Sequence, residues 1–409
     1  MVIAYLCEPE RGSERGAGWG VLRAVARSSD CIVVTGPESG SALRSYVAAN
    51  PGLPIGVVEV AEPRWAGAAK RHRIGEFLVY LAWERRVRSV GRRVIDRHDI
   101  DVAVHATLSA FWLPSVATEL GIPSIWGPVG GAVTTPPSLW PLLGWKGVSV
   151  ELLDWLAVRV MSLLPATRRT WRNATIRVAQ NRETVRRLPR HLRAGTIVVN
   201  HALFHDLKPP TTRSATGTAH EPYVAWVSPM ESRKGPELAV RALAAASSDA
   251  RMVMAGDGPE RVRIERIARE LGIWDRVRFE GQVPHERALG ILEGATVALF
   301  TGMREEGGFA LAEAMLLGTP VVVLANGGAR TVAQSSVATE HTTLIEVASV
   351  ADTIRSMAAA IDGCIGAESD ASSTERAPLI DQSTAVDEFE RLIEEALAAN
   401  AGTAPRRGQ

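Results

Sequence analysis

Cysteine is scarce in this 409-residue chain: Cys7, Cys31 and Cys364 are scattered, with neither metal-ligand spacing nor the density of a disulfide scaffold. That excludes a fold stapled by disulfides and fits a reducing compartment, so a cytoplasmic location is expected. An excess of charge is also lacking, and a net charge of +1 leaves a nucleic-acid partner without electrostatic support. No uninterrupted apolar run reaches membrane-spanning length. Val2 to Cys7 is apolar but stops at Glu8, too short for a signal-peptide core, and reads as a first strand. The pair Asp99 and Asp101 precedes a strand instead of following it, the wrong sheet edge for chemistry, so it is read as structural and no metal is expected.

What is present is an ordinary globular mixture, 46% hydrophobic and 22% charged, over a length suited to two domains. The richest stretch runs from Val297 to Gly328. Val297 to Phe300 and Val321 to Leu324 are apolar runs of buried-strand length, as in a parallel sheet covered on both faces. Phe309 to Leu317 between them is made of good helix formers, and Gly318 with Pro320 ends it. Thr301 to Gly308 is then a loop at the carboxyl end of a strand, opening onto a helix N-terminus. Gly307 and Gly308 allow close backbone approach, and the amides of Phe309 and Ala310 suit a phosphate. Glu305 and Glu313, with seven residues between them, frame that seat. A carboxylate accepts paired bonds from vicinal hydroxyls, so a phosphate seat with two acidic arms points to a nucleotide sugar. Taken singly, either glutamate could instead be a first-turn acid that favours the helix dipole.

The Glu-x7-Glu pair, followed by Ala-Met-x-x-Gly-Thr-Pro-Val-Val and Gly327-Gly328, resembles the donor-site signature of retaining glycosyltransferases of family four, which have the GT-B fold. The resemblance implies an α/β architecture of two Rossmann-like domains facing across a cleft. It implies transfer from a nucleotide diphosphate sugar, a UDP-sugar as first choice, to a hydroxyl acceptor, with retention and without a cofactor. Glu305 would meet the donor sugar, Glu313 the ribose, and the Gly308 to Ala310 backbone the diphosphate. Val283, after the run Val277 to Gly281, would line the nucleobase.

In the family the first loop of the second domain carries an arginine and a lysine that neutralise the diphosphate. Lys234 matches the lysine; Pro229 stands where the arginine belongs. Arg233, Arg304 and Arg330 are candidates to replace it, Arg304 foremost because it flanks the phosphate loop. A sugar-nucleotide epimerase or hydrolase of the same fold, or a catalytically impaired partner subunit, are the alternatives.

In the first half, Glu8 to Gly20 reads as a glycine-punctuated loop ahead of a helix from Val21 to Ala26, and resembles a family loop that places Gly16 and Gly18 near the acceptor. His105 ends a strand read at Asp101 to Ala106, where the family places a catalytic histidine that contacts the donor sugar. Trp126 to Gly131 resembles another loop of the same branch, with Gly130 and Gly131 at its end. Leu120-Gly121-x-Pro123 to Gly130-Gly131 matches Leu317-Gly318-x-Pro320 to Gly327-Gly328 at a constant offset of 197 positions, which points to two similar domains in tandem. The expected division is 1–207 for acceptor binding, 208–221 as linker, 222–384 for the nucleotide sugar, 385–400 as a helix crossing back, and 401–409 as a mobile tail. Gly363 to Asp381 reads as loop. Val150 to Leu164 reads as a helix apolar on most faces, a core element first and an interfacial membrane helix in the alternative. The arginine-rich stretch from Lys70 to Arg97 reads first as a solvated helix face, with an anionic lipid or acceptor as the other reading.

Overall fold

The computed structural model describes residues 1–9, 13–108, 110–204, 221–368 and 376–403. Of the expected linker only Glu221 falls within them, and residues 404–409 of the tail lie outside. The chain divides into two units: residues 1–132, 158–206 and 382–409, and residues 133–157 and 207–381.

The first unit is built on seven strands: β1 (Val2–Ala4), β2 (Cys31–Thr35), β3 (Ile55–Glu59), β4 (Ala103–His105), β5 (Ser124–Val129), β6 (Ile176–Ala179) and β7 (Thr196–Val198). Their spatial order is β3-β2-β1-β4-β5-β6-β7, and every pairing is parallel. The second unit has six: β8 (Tyr223–Val227), β9 (Arg251–Ala255), β10 (Val277–Gly281), β11 (Val297–Phe300), β12 (Val321–Leu324) and β13 (Thr342–Ile345). Their order, β10-β9-β8-β11-β12-β13, is again wholly parallel. Parallel sheets need both faces covered, which is why runs such as Val321 to Leu324 are apolar throughout and fully buried. In both sheets the order reverses beside the first strand, at β1/β4 and at β8/β11, and these are the switch points at which open α/β sheets bind ligands.

The repeated Leu-Gly-x-Pro has a structural cause. Gly121 and Gly318 take the left-handed conformation, φ +82 and +71°, that turns the chain into the next strand. The Pro123 and Pro320 carbonyls then accept from amides at the start of the neighbouring strands, Ala103 at 2.9 Å and Ala298 at 2.8 Å. β5 and β12 are thus the same strand of the two sheets.

Three expectations change. The loop read at Glu8 to Gly20 is short, because a helix already begins at Ser13 and runs to Ala26. Its glycines serve packing: a Cβ on Gly18 would lie 2.2 Å from the Leu6 carbonyl oxygen, and one on Gly20 2.3 Å from that of Phe204. The stretch read as loop from Gly363 continues the helix Val350–Glu368, which buries Met357, Ala358 and Ile361; residues 369–375 lie outside those described. The apolar segment around 150–164 is a helix, Gly144–Met161, but much of it is not core, since Leu153 is 66% and Trp145 77% exposed. Residues 133–157 pack with the second sheet, whose core includes Leu139, Leu142 and Leu143. The helix Ser383–Thr403 packs in the first unit, with Phe389 edge-on to Phe204.

Candidate active site

At the second switch point the loops after β8 and β11 are laced together. The Arg233 carbonyl accepts from the amides of Met303 and Arg304 at 2.9 and 3.2 Å, and the Thr301 hydroxyl donates to the Lys234 carbonyl at 2.9 Å. Gly235, left-handed at φ +67°, permits this approach, since a Cβ there would sit 2.3 Å from the Thr301 carbonyl oxygen.

The lacing brings Lys234 onto Glu305. The Lys234 ammonium donates to Glu305 Oε2, and Glu305 Oε1 accepts from the Gly308 amide at 3.2 Å. Both side chains are mostly shielded, at 15 and 17% exposure. Burial alone would push the Glu305 carboxyl up, but the Lys234 charge and hydrogen bond, the Gly308 amide and the charge of Arg233 outweigh it and hold the group below its ordinary value. Gly308, at φ +69°, precedes the helix Phe309–Leu316, whose first internal bond runs from the Ala312 amide to the Gly308 carbonyl at 3.0 Å. The amides of Phe309 and Ala310 come before that bond, in the turn where a helix has no internal carbonyl to offer.

Glu313, one turn into this helix, is buried and accepts from His285 Nε2 at 2.9 Å. The hydrogen bond to Glu313 raises the His285 pKa against the opposing effect of burial. His285 opens the helix His285–Glu293 two residues after Val283, so the loop following β10 meets the glutamate. His285 carried no motif of its own. The available signal was its place just after the segment already read as lining the nucleobase.

The three replacement arginines have different surroundings. Arg304 pairs with Asp154 at 2.8 Å and Glu151 at 3.3 Å, both on the Gly144–Met161 helix. Arg330 pairs with Glu346 at 2.5 and 2.8 Å and donates to the Ala325 carbonyl at 2.9 Å. Arg233 pairs with the exposed Glu231 at 2.7 Å, and its charge also acts on Glu305. The Glu151 and Asp154 contacts could not be foreseen, because they join residues 150 or more positions apart in sequence.

The other predicted residues lie in the first unit, around its own switch point. His105 ends β4, is 2% exposed, and shares a 3.0 Å hydrogen bond with the Ser115 hydroxyl. Burial lowers its pKa to about 4, so it is neutral at pH 7. Gly16 and Gly18 are on the helix after β1, and Gly18 packs on Leu6 and Thr107, two residues past His105. Gly130 accepts from the Phe111 amide at 2.8 Å, and Gly131 is left-handed at φ +87°.

Residues 211–368 match the family model described as glycosyl transferases group 1. Curated relatives match over part of the chain. One is 2-deoxystreptamine glucosyltransferase of Streptomyces kanamyceticus, 36% identical over 26% of this chain and 28% of its own length. Another is the GDP-mannose-dependent alpha-(1-6)-phosphatidylinositol dimannoside mannosyltransferase of Mycobacterium tuberculosis, 44% identical over 21% of this chain and 22% of its own. The chain thus spans only about a quarter of the length of these relatives. Among solved structures, the Anabaena protein HepE in complex with UDP and glucose aligns with a TM-score of 0.57 at 18% identity, over 98% of this chain and all of the other. At that identity the likeness is one of fold. The segment that carries Glu305 and the Phe309–Leu316 helix is thus similar to the glycosyl transferases group 1 model, and the two sheets are the Rossmann-like units of the GT-B fold.

Proposed function

We propose that the protein is a retaining glycosyltransferase that moves a sugar from a nucleotide diphosphate sugar, a UDP-sugar as first choice, to a hydroxyl acceptor. The observation that carries this reading is the meeting of Lys234, Glu305 and the Gly308 end of the Phe309 helix at one switch point, with Glu313 a turn further in. The names of the relatives matched over the second unit, and the UDP held by the Anabaena structures, support the donor class.

In this reading the ribose hydroxyls bond Glu313, Val283 lines the base, and the diphosphate rests on the first-turn amides and Lys234. The bond from the anomeric carbon to the diphosphate breaks with its electron pair on the departing oxygen. Fixed donors in a poorly hydrated site meet the developing charge without reorganising. The acceptor oxygen attacks from the same face and gives its proton to the departing phosphate. The first unit, with Gly16, Gly18, Gly130 and Gly131, is assigned to the acceptor, and its neutral, hydrogen-bonding His105 to the sugar being transferred.

The test is Glu313→Ala, read by titration calorimetry with UDP and UDP-sugars. Losing two hydrogen bonds to a buried carboxylate is expected to weaken both ligands about 10- to 100-fold. Wild-type affinity for both would remove the ribose assignment and the reading built on it.

A further inference from the structure

The Gly144–Met161 helix is the second feature of the molecule that demands a partner. Of fifteen large apolar side chains exposed among the described residues, nine fall between Trp145 and Leu164. Large apolar patches of this kind mark interaction surfaces. They cover the helix except on the side that carries its acids: Trp145, Leu152, Leu153, Leu156 and Val160 form a central stripe, with Val150 and Trp155 to either side of it.

The opposite side of the same helix carries its acids. Glu151 is buried, bonding the Thr135 amide at 2.9 Å and the Thr135 hydroxyl at 3.1 Å, and both Glu151 and Asp154 are turned onto Arg304. From Lys146 to Arg172 the remaining charged residues are Lys146, Arg159, Arg168, Arg169 and Arg172, all exposed cations. The one polar residue within the stripe, Ser149, satisfies its hydroxyl internally on the Trp145 carbonyl at 2.9 Å, and Lys146 lies over the Trp145 ring at 5.6 Å. A surface with its acids withdrawn, its hydroxyl satisfied and its cations flanking a tryptophan and leucine stripe has the chemistry of an interfacial helix.

We propose that this helix docks the protein on the surface of an anionic membrane, its axis in the plane of the interface and the Trp145 to Val160 stripe among the acyl chains. It does not cross: among the described residues no helix is long and apolar enough to span a bilayer. The docking helix is also the one that grips Arg304, next to Glu305, so lipid contact and the phosphate loop share an element.

The experiment uses the full-length protein and vesicles of phosphatidylcholine with or without phosphatidylglycerol, read by co-sedimentation and by tryptophan emission. Binding is expected to the anionic vesicles, to weaken at least tenfold without phosphatidylglycerol or in high salt, and to fall at least tenfold in Trp145→Ser with Leu153→Ser. Circular dichroism checks that this variant, altered at two exposed positions, remains folded. Absence of vesicle binding by the wild type, or equal binding by the variant, would overturn the proposal. So would analytical ultracentrifugation that finds a dimer abolished by the same two substitutions without any vesicle binding, since the stripe would then be covered by a second copy.

Discussion

Glu305 and a donor diphosphate want the same hydrogen-bond donors, and replacing Glu305 by alanine separates what each gains from them. In the protein the carboxylate holds the Lys234 ammonium and the Gly308 amide, with both charged side chains less than a fifth exposed. Its loss strands an amide, worth about 1 kcal/mol, and a largely shielded cation, worth about 1–3 kcal/mol more, so Glu305→Ala should destabilise the second unit by about 2–4 kcal/mol. The same loss leaves Lys234 free to meet phosphate oxygens. Free UDP no longer has to displace an ion pair worth about 1–2 kcal/mol, so it should bind about 5- to 30-fold more tightly, not less. Transfer should nevertheless fall, because the sugar loses its carboxylate. Thermal unfolding with and without UDP, calorimetry with UDP, and turnover of a UDP-sugar measure the three effects on one variant. If Glu305→Ala weakens UDP as severely as Lys234→Ala does, or melts like wild type, the competition argument is wrong.

Among the replacement arginines, Arg233→Ala should reduce turnover nearly as far as Lys234→Ala, whereas Arg304→Ala and Arg330→Ala should cost less, because their charges are already met by Asp154, Glu151 and Glu346; equal losses for all three in steady-state assays would contradict this. A third expectation concerns pH. Glu84 is buried on the Arg73–Arg97 helix, accepting from the Tyr80 hydroxyl at 2.9 Å and the Val116 amide at 2.7 Å, and burial pushes its pKa up to about 7. A carboxyl raised on folding stabilises below its unfolded pKa, near 4.5, and that stability is lost as pH climbs to about 7, up to about 3 kcal/mol. Glu84→Gln, which mimics the neutral acid, should melt like wild type at pH 4.5 and higher than wild type at pH 8; the same melting temperature at pH 8 would refute it.

How much of this was legible in the sequence depended on whether the contact was local. Strand, loop and helix from Val297 to Leu324 could be read to within one residue, because apolar runs, left-handed glycines and a helix-ending proline all act within a few positions. β6 and β13 passed unread, being four residues each, β6 interrupted by Arg177 and β13 opening on two threonines and only half-buried over its first three residues. The loop read at Glu8 to Gly20 was drawn too long for a related reason. Glycine spacing tells that a backbone comes close, but not whether it approaches a ligand or the Leu6 and Phe204 carbonyls. Least legible were the partners that decide charge. That Arg304 would be spoken for by Glu151 and Asp154 depends on residues 133–157 joining the second sheet, which no local pattern announces.

The repeat itself shows why phosphate is assigned to one unit and not to both. The two sheets have the same strand order up to the sixth strand, and the same Leu-Gly-x-Pro entry to the fifth. After β11 comes an α-helix whose N-terminus offers amides and a partial positive charge. After β4, at the equivalent place, the next described helical element is the 3-10 turn Val116–Glu119, capped by Ser115, whose hydroxyl also meets His105. A turn of that length gathers no comparable dipole. The charges differ in the same sense: beside β1 to β3, Glu8, Glu38 and Glu62 surround Arg15 and Lys70, leaving an acidic excess that a diphosphate would have to approach. Beside β8 and β11, Arg233 and Lys234 balance Glu231 and Glu305, and the helix end tips the sum positive. One backbone plan thus places an α-helix N-terminus after β11 and only a capped turn after β4.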